Sequence, residues 1–226
     1  KSGKKADIVL VDEAHLLLTK PDRYNNFNEE NQLEEIIRYS KIAIVVYDDK
    51  QVLKMKSYWN EEKLLSMTKD CTKETYVLTN QFRMRASDNM VRWINNFVDK
   101  KITDMPIEDK YDFRIFESAN AMYEVIQERD SKFGLARIVS TFDYTHKKDG
   151  QTYYIEEDSF KLPWNNDYGS QTWAEEKKTI REVGSIYTIQ GFDLNYVGVI
   201  LGPSIAYDKD TDTLKIIPEN YKDTEA

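Results

Sequence analysis

The chain has 226 residues, 40% hydrophobic and 32% charged, with a formal net charge of -8. That apolar share supports a packed core and excludes global disorder. The acidic balance gives no support to a broadly basic nucleic-acid face, although a local groove can be basic on an acidic protein.

A single cysteine, Cys71, rules out an internal disulfide and points to a reducing compartment. The longest apolar runs, residues 8–11 and 42–46, are too short to span a bilayer. A cytoplasmic protein with no membrane partner is expected.

Residues 6–11 form an apolar run that ends in acids, the pattern of a buried parallel strand with chemistry at its carboxyl end. A polar loop follows over residues 20–26. Leu33, Ile36 and Ile37 then fall at helical spacing. Residues 42–47 read as a second buried strand, again followed by acids, Asp48 and Asp49. Residues 61–67 predict a helix, and residues 76–78 a third short strand. Ser87 is placed to cap a helix carrying Met90, Ile94, Phe97 and Val98. Residues 113–116 predict a strand. Ser118 caps a helix with Met122, Val125 and Ile126 inward, and residues 135–139 form the next strand. The stretch 145–178, rich in Asp, Lys, Asn and aromatics, breaks the rhythm and reads as a hairpin-bearing insertion. Residues 196–201 restore a buried strand, and the tail 208–226 is polar and expected to be partly disordered.

The alternation predicts an α/β protein with mainly parallel sheets. A hinge near residues 79–85 divides it into a first unit, 1–82, and a second, 83–226, with the insertion at about 145–180.

Asp12 and Glu13 stand where the first strand ends, the edge at which open α/β sheets bind ligands. One carboxylate there can hold magnesium through water, and its neighbour can orient the water that attacks a phosphate. An acidic turn in solvent fits the pair equally well until Ala14 and His15 are added. Asp12-Glu13-Ala14-His15 is the DEAH form of a Walker B motif. Asp48 and Gln51 follow the second strand, where a glutamine can contact a γ-phosphate or its attacking water. A solvated acidic turn is the plainer use of this pattern. Gln81-Phe82-Arg83-Met84-Arg85 follows the third strand, and its guanidinium groups suit phosphate oxygens, although a surface-exposed basic helix start is the plainer use. Thr188, Gln190 and Gly191 offer neutral groups and a tight turn suited to phosphates or a nucleic-acid backbone, or an ordinary polar turn before the strand at Tyr196. Trp164, with Trp173, Tyr153 and Tyr154, is a candidate for stacking on bases or for core and hairpin packing.

In order, residues 8–15, 48–51, 81–83 and 188–193 resemble motifs II, III, IV and V of superfamily 1 helicases. The details resemble most the Schlafen group 3-like DNA/RNA helicase family, catalogued as bacterial ATP/GTP-binding proteins. The Asp-Asp-x-Gln form of motif III, residues 158–165 and residues 183–199 carry that closer match. The resemblance implies a P-loop NTPase of two RecA-like units with ATP between them. It makes Asp12 the magnesium ligand and Glu13 the catalytic base. His15 and Gln51 would couple the γ-phosphate to domain movement, and Arg83 would contact that phosphate. Asp48 and Gln81 would join them in nucleotide binding. Gln190, Gly191 and Thr188 would lie where nucleotide meets nucleic acid. ATP, magnesium and DNA or RNA are the implied cofactors and partners.

The sequence holds no G-x-x-x-x-G-K-[ST] loop before Asp12, and the final arginine motif is also missing. The expectation is a piece of a longer protein, inactive alone, whose first unit lacks its central strand. The strands around Val9 and Ile44 should then show an exposed apolar edge, open to a homo-oligomer contact. A nucleic-acid- or protein-binding module, or an ATPase switch without translocation, remains the competing reading.

Overall fold

The structure, a computed structural model, describes residues 4–23, 26–48, 51, 59–79, 83–147, 149–166 and 172–223. The chain falls into two compact units that divide between Leu78 and Thr79.

The first unit contains β1 (Ala6–Val11), a single 3-10 turn at Ala14–Leu16, α1 (Gln32–Arg38), β2 (Ser40–Val45) and α2 (Glu61–Met67). The Asn31 side chain caps α1 by accepting the backbone N–H groups of Leu33 and Glu34. Glu34 and Glu35 in its first turn and Arg38 in its last complement the helix dipole. Asn60 caps α2 in the same way, through the Lys63 N–H. β1 and β2 pair in parallel, from Ala6 opposite Ser40 to Val11 opposite Val45. In this register Ile8 faces Ile42 and Leu10 faces Ile44, and all four are exposed. These residues have the composition of buried strands, but the two-stranded ladder leaves one apolar face uncovered by any described residue. The exposure lies on a face of the ladder, where an exposed edge was expected.

Residues 76–78 do not form the predicted third strand. Tyr76, Val77 and Leu78 are 80%, 80% and 84% exposed, and no described strand pairs with them. Their β-forming side chains lack the partner edge on which strand stability depends.

The second unit contains α3 (Asp88–Val98), α4 (Ala119–Phe133), β3 (Ala136–Ser140), β4 (Tyr154–Glu157), β5 (Phe160–Pro163), β6 (Val183–Gly184), α5 (Ile186–Ile189), β7 (Tyr196–Ile200), β8 (Ile205–Asp208) and β9 (Thr213–Ile216). Ser87 and Ser118 cap α3 and α4 as expected, accepting the N–H groups of Met90 and Ala121. A parallel sheet of order β6-β3-β7 forms the centre, with every residue of β3 buried. α4 lies against it closely enough that a Cβ at Gly198 would stand 2.9 Å from Met122 Sδ and 3.1 Å from Ile126 Cγ1.

The expected disorder of the tail and the expected strand at residues 113–116 are corrected. The charged stretch 145–178 carries the expected hairpin and packs into the core. Its antiparallel hairpin β4–β5 sends Ile155 and Phe160 into the core, and Trp164 bridges Val183 in parallel, extending the sheet beyond β6. The tail is ordered through residue 223, forming the antiparallel pair β8–β9. The Ile217 N–H then bonds the Ser204 carbonyl, and the Lys222 N–H bonds the Phe142 carbonyl. The strand predicted at residues 113–116 is absent, and Ile115 there is exposed. The architecture is mixed α/β with small parallel sheets.

Candidate active site

The first unit brings its candidate residues to the carboxyl end of the β1–β2 ladder. The Val46 N–H donates to the Val11 carbonyl and the Ala14 N–H donates to the Val46 carbonyl, both at 2.8 Å. In a regular parallel ladder, one residue bonds positions two apart on its neighbour. Here those positions are 11 and 14, so β1 carries one extra residue, a bulge of the kind that re-aims side chains next to active sites.

Glu13 absorbs the bulge with φ 51° and ψ 42°, a left-handed conformation that costs a non-glycine residue about 1–2 kcal/mol. Its N–H donates to Asp12 Oδ1 at 2.9 Å, leaving Asp12 Oδ2 with no partner among the described residues. Ala14 and His15 are buried beneath the turn. His15 is 1% exposed, with Nε2 2.9 Å from Glu13 Oε2. This contact lacks hydrogen-bond alignment and becomes an ion pair when the imidazole is protonated. The Nδ1 atom has no hydrogen-bond partner among the described residues. Past β2, Gln51 Nε2 donates to Asp48 Oδ2 at 2.6 Å, and the Gln51 N–H reaches the Asp48 carbonyl at 3.3 Å. The amide is thus oriented by the carboxylate three residues earlier.

Among the described residues, no three His, Cys, Asp or Glu side chains cluster to hold a metal. Magnesium does not require such a cluster, since it keeps most of its water and binds through one or two carboxylates plus phosphate oxygens. Asp12, exposed and with one oxygen unclaimed, suits that mode.

In the second unit, β6 leads straight into the turn of residues 185–193. Ser185 caps α5 by accepting the Tyr187 N–H at 3.2 Å, and its hydroxyl donates to buried Asn165 Oδ1 at 2.6 Å. Thr188 Oγ1 accepts the Ser185 N–H and donates to the Ser185 carbonyl, each at 2.9 Å. Thr188 therefore holds the turn with the hydroxyl that its sequence position offered to a ligand. Gly184 is required beneath it, because a Cβ there would stand 2.5 Å from Thr188 Oγ1. The Gln190 N–H closes the helix on the Ile186 carbonyl, and Gly191 turns the chain at φ 76°. Arg83 Nε lies 3.0 Å from Asp193 Oδ1, joining the segment before α3 to this turn.

Gln81 lies outside the described residues. Trp164 is fully buried and in ring contact with Phe142 and Tyr144, so neither face is free for a base; it is a core residue. Trp173 is likewise enclosed. Sequence reasoning missed Ser185 and Asn165, which fix the turn, and Asp193, which meets Arg83. Asp193 was legible only as the last residue of the 188–193 motif, with no role of its own. Among the described residues, no helix is long and apolar enough to cross a membrane.

The whole chain, residues 1–226, matches the family described as "Schlafen group 3, DNA/RNA helicase domain". A curated relative from Saccharomyces cerevisiae, "Uncharacterized protein YPL245W", is 43% identical over 245 residues, which cover 96% of this chain and 54% of the relative. The chain thus spans about half the length of that relative. No solved structure matches the chain.

Proposed function

Because this chain belongs to the Schlafen group 3 DNA/RNA helicase domain family, we propose that it is part of an ATP-hydrolysing, helicase-like motor acting on DNA or RNA and built from P-loop, RecA-like units. The observation that carries this reading is the bulged strand end, where Glu13 is held in a left-handed backbone conformation beside exposed Asp12. Strain of this kind persists where the surrounding structure enforces it, and it clusters at functional sites.

In this reading Asp12 would hold a magnesium ion, which would supply charge neutralisation at the phosphate oxygens. Glu13 orients the attacking water and takes its proton. Its neighbour His15, buried at 2.9 Å, restricts where that carboxylate points. Gln51, held by Asp48, senses the γ-phosphate without adding charge. In the second unit, Arg83 supplies a fixed positive charge for the transferring phosphoryl group. The turn of Gln190 and Gly191, held in shape by Thr188 and Ser185, contacts nucleotide or nucleic-acid backbone.

The test is an ATPase assay on the full-length parent protein, with and without DNA and RNA oligonucleotides. Nucleic-acid-stimulated hydrolysis is expected, falling about 100-fold or more in Glu13→Gln while nucleotide binding is kept. A parent protein whose hydrolysis responds to no nucleic acid refutes the motor.

A further inference from the structure

Asp193 has no role in the chemistry described above, yet it forms an ion pair with the Arg83 side chain, Nε to Oδ1 at 3.0 Å. The two side chains are each 73% exposed, so burial does not force them together. The backbone around Asp193 is well anchored. The Phe192 N–H bonds the Ile189 carbonyl and the Asn195 N–H bonds the Leu135 carbonyl. The Asn195 side-chain amide also donates to the carbonyls of Phe133 and Gly134. Asp193 thus projects from a loop tied down on both sides, whereas Arg83 is a long side chain in an irregular segment ahead of α3.

The contact is an ion pair whose closest approach is at Nε, without hydrogen-bond alignment. Nη1 and Nη2 make no hydrogen bond to a described residue, and they form the edge of the guanidinium that grips two oxygens at once. A carboxylate that also took an Nη atom would compete with an incoming phosphate. One whose closest approach is at Nε, with no hydrogen bond to Nη, restricts the side chain and leaves the fork open.

We propose that Asp193 is a positioning residue for Arg83, restraining the guanidinium through an ion pair nearest Nε so that its Nη pair is presented to the phosphate of the bound nucleotide. This rests on the proposed nucleotide hydrolysis and adds to it the device that orients the arginine.

The experiment measures kcat and KM for ATP in the full-length protein, for wild type, Arg83→Ala, Asp193→Asn, Asp193→Glu and the double variant Arg83→Ala/Asp193→Asn. An exposed ion pair is a weak restraint, so Asp193→Asn is expected to lower kcat/KM about threefold to fivefold at low salt. The deficit should shrink as ionic strength rises, because salt already weakens the pair in wild type. Asp193→Glu should recover to within about twofold of wild type, and the double variant should be no slower than Arg83→Ala alone. Neither rescue by the longer carboxylate nor this non-additivity is expected from a general disturbance of the loop.

If wild type hydrolyses no nucleotide, or Arg83→Ala keeps the full rate, the proposed function falls and the positioning role falls with it. If Arg83→Ala is impaired while Asp193→Asn matches or exceeds wild type, or adds its own deficit to that of Arg83→Ala, the positioning role alone is overturned.

Discussion

Replacing Arg137 with Met should loosen the second unit at the point where its turn is supported. The Arg137 side chain is 3% exposed, at the start of β3. Its Nε donates to Thr179 Oγ1 at 2.8 Å and its Nη1 to Asp130 Oδ1 and the Ala136 carbonyl, both at 2.7 Å. Nη2 reaches the Glu176 carbonyl at 3.1 Å. One guanidinium thus fastens the end of α4 and the 3-10 segment of residues 177–181 to the central strand, and that segment runs directly into β6. Met keeps the stem and removes the charge. Breaking a buried ion pair costs about 3–5 kcal/mol. Asp130 is partly exposed and retains the Ala136 N–H, so its carboxylate can recover some hydration, and the low end, about 3 kcal/mol, applies. At an m-value of about 2 kcal/mol/M, the urea midpoint of this unit should fall by about 1.5 M. Arg137→Lys, which keeps the charge but not the fork, should recover about half of the loss. The assay is urea unfolding followed by the fluorescence of buried Trp164 and Trp173, with amide exchange of β3 and β6 as the local probe. A Met variant whose midpoint stays within about 0.3 M of wild type would show that the network contributes little.

Gly184→Ala should destabilise the same unit by about 1–3 kcal/mol, because the new Cβ would meet Thr188 Oγ1 at 2.5 Å and the Trp173 ring at 2.8 Å. A thermal midpoint equal to wild type contradicts that. The Lys215 ammonium beside Asp208, with the Asp210 N–H and Thr211, holds the Asp208 carboxyl down at about 2, against an ordinary 3.8. Because the folded value is the lower one, its contribution to the β8–β9 hairpin is fully present above about pH 4 and is lost as pH falls towards 2. Carboxyl NMR titration reads this directly, and a midpoint at or above 3.8 counts against the pair.

Elements whose stability is local could be read before the fold was known. Ser87 and Ser118 announce α3 and α4 because a cap bonds within its own turn. The apolar runs of β1, β2, β3 and β7 announce strands by composition, although only β3 is buried along its whole length. Residues 76–78 and 113–116 have the same composition and no partner, and composition alone does not supply an edge. The hairpin β4–β5 was expected within its charged stretch, but its place in the core was not, although Ile155 and Phe160 are the inward residues of an alternating pattern. At the candidate site, Asp12 to His15 were legible as a motif. The extra residue before Ala14 was not, since it is defined by hydrogen bonds to Val46. The pairing of Arg83 with Asp193 was equally hidden, because it joins residues far apart in the chain.

The strain at Glu13 and the chemistry proposed for it depend on the same few bonds. A glycine would adopt φ 51° without the cost that glutamate bears. What holds the glutamate there is local: Ala14 is bonded to Val46 and buried, His15 is buried behind it, and Val46 returns to Val11. With positions 11 and 14 fixed on one neighbouring residue, the two acids between them cannot continue the pleat. The direction in which the Glu13 side chain leaves the backbone is therefore set by backbone bonds, and His15 limits the carboxylate beyond it. A carboxylate restricted that way needs less ordering before a phosphate arrives, which is what positioning an attacking water demands.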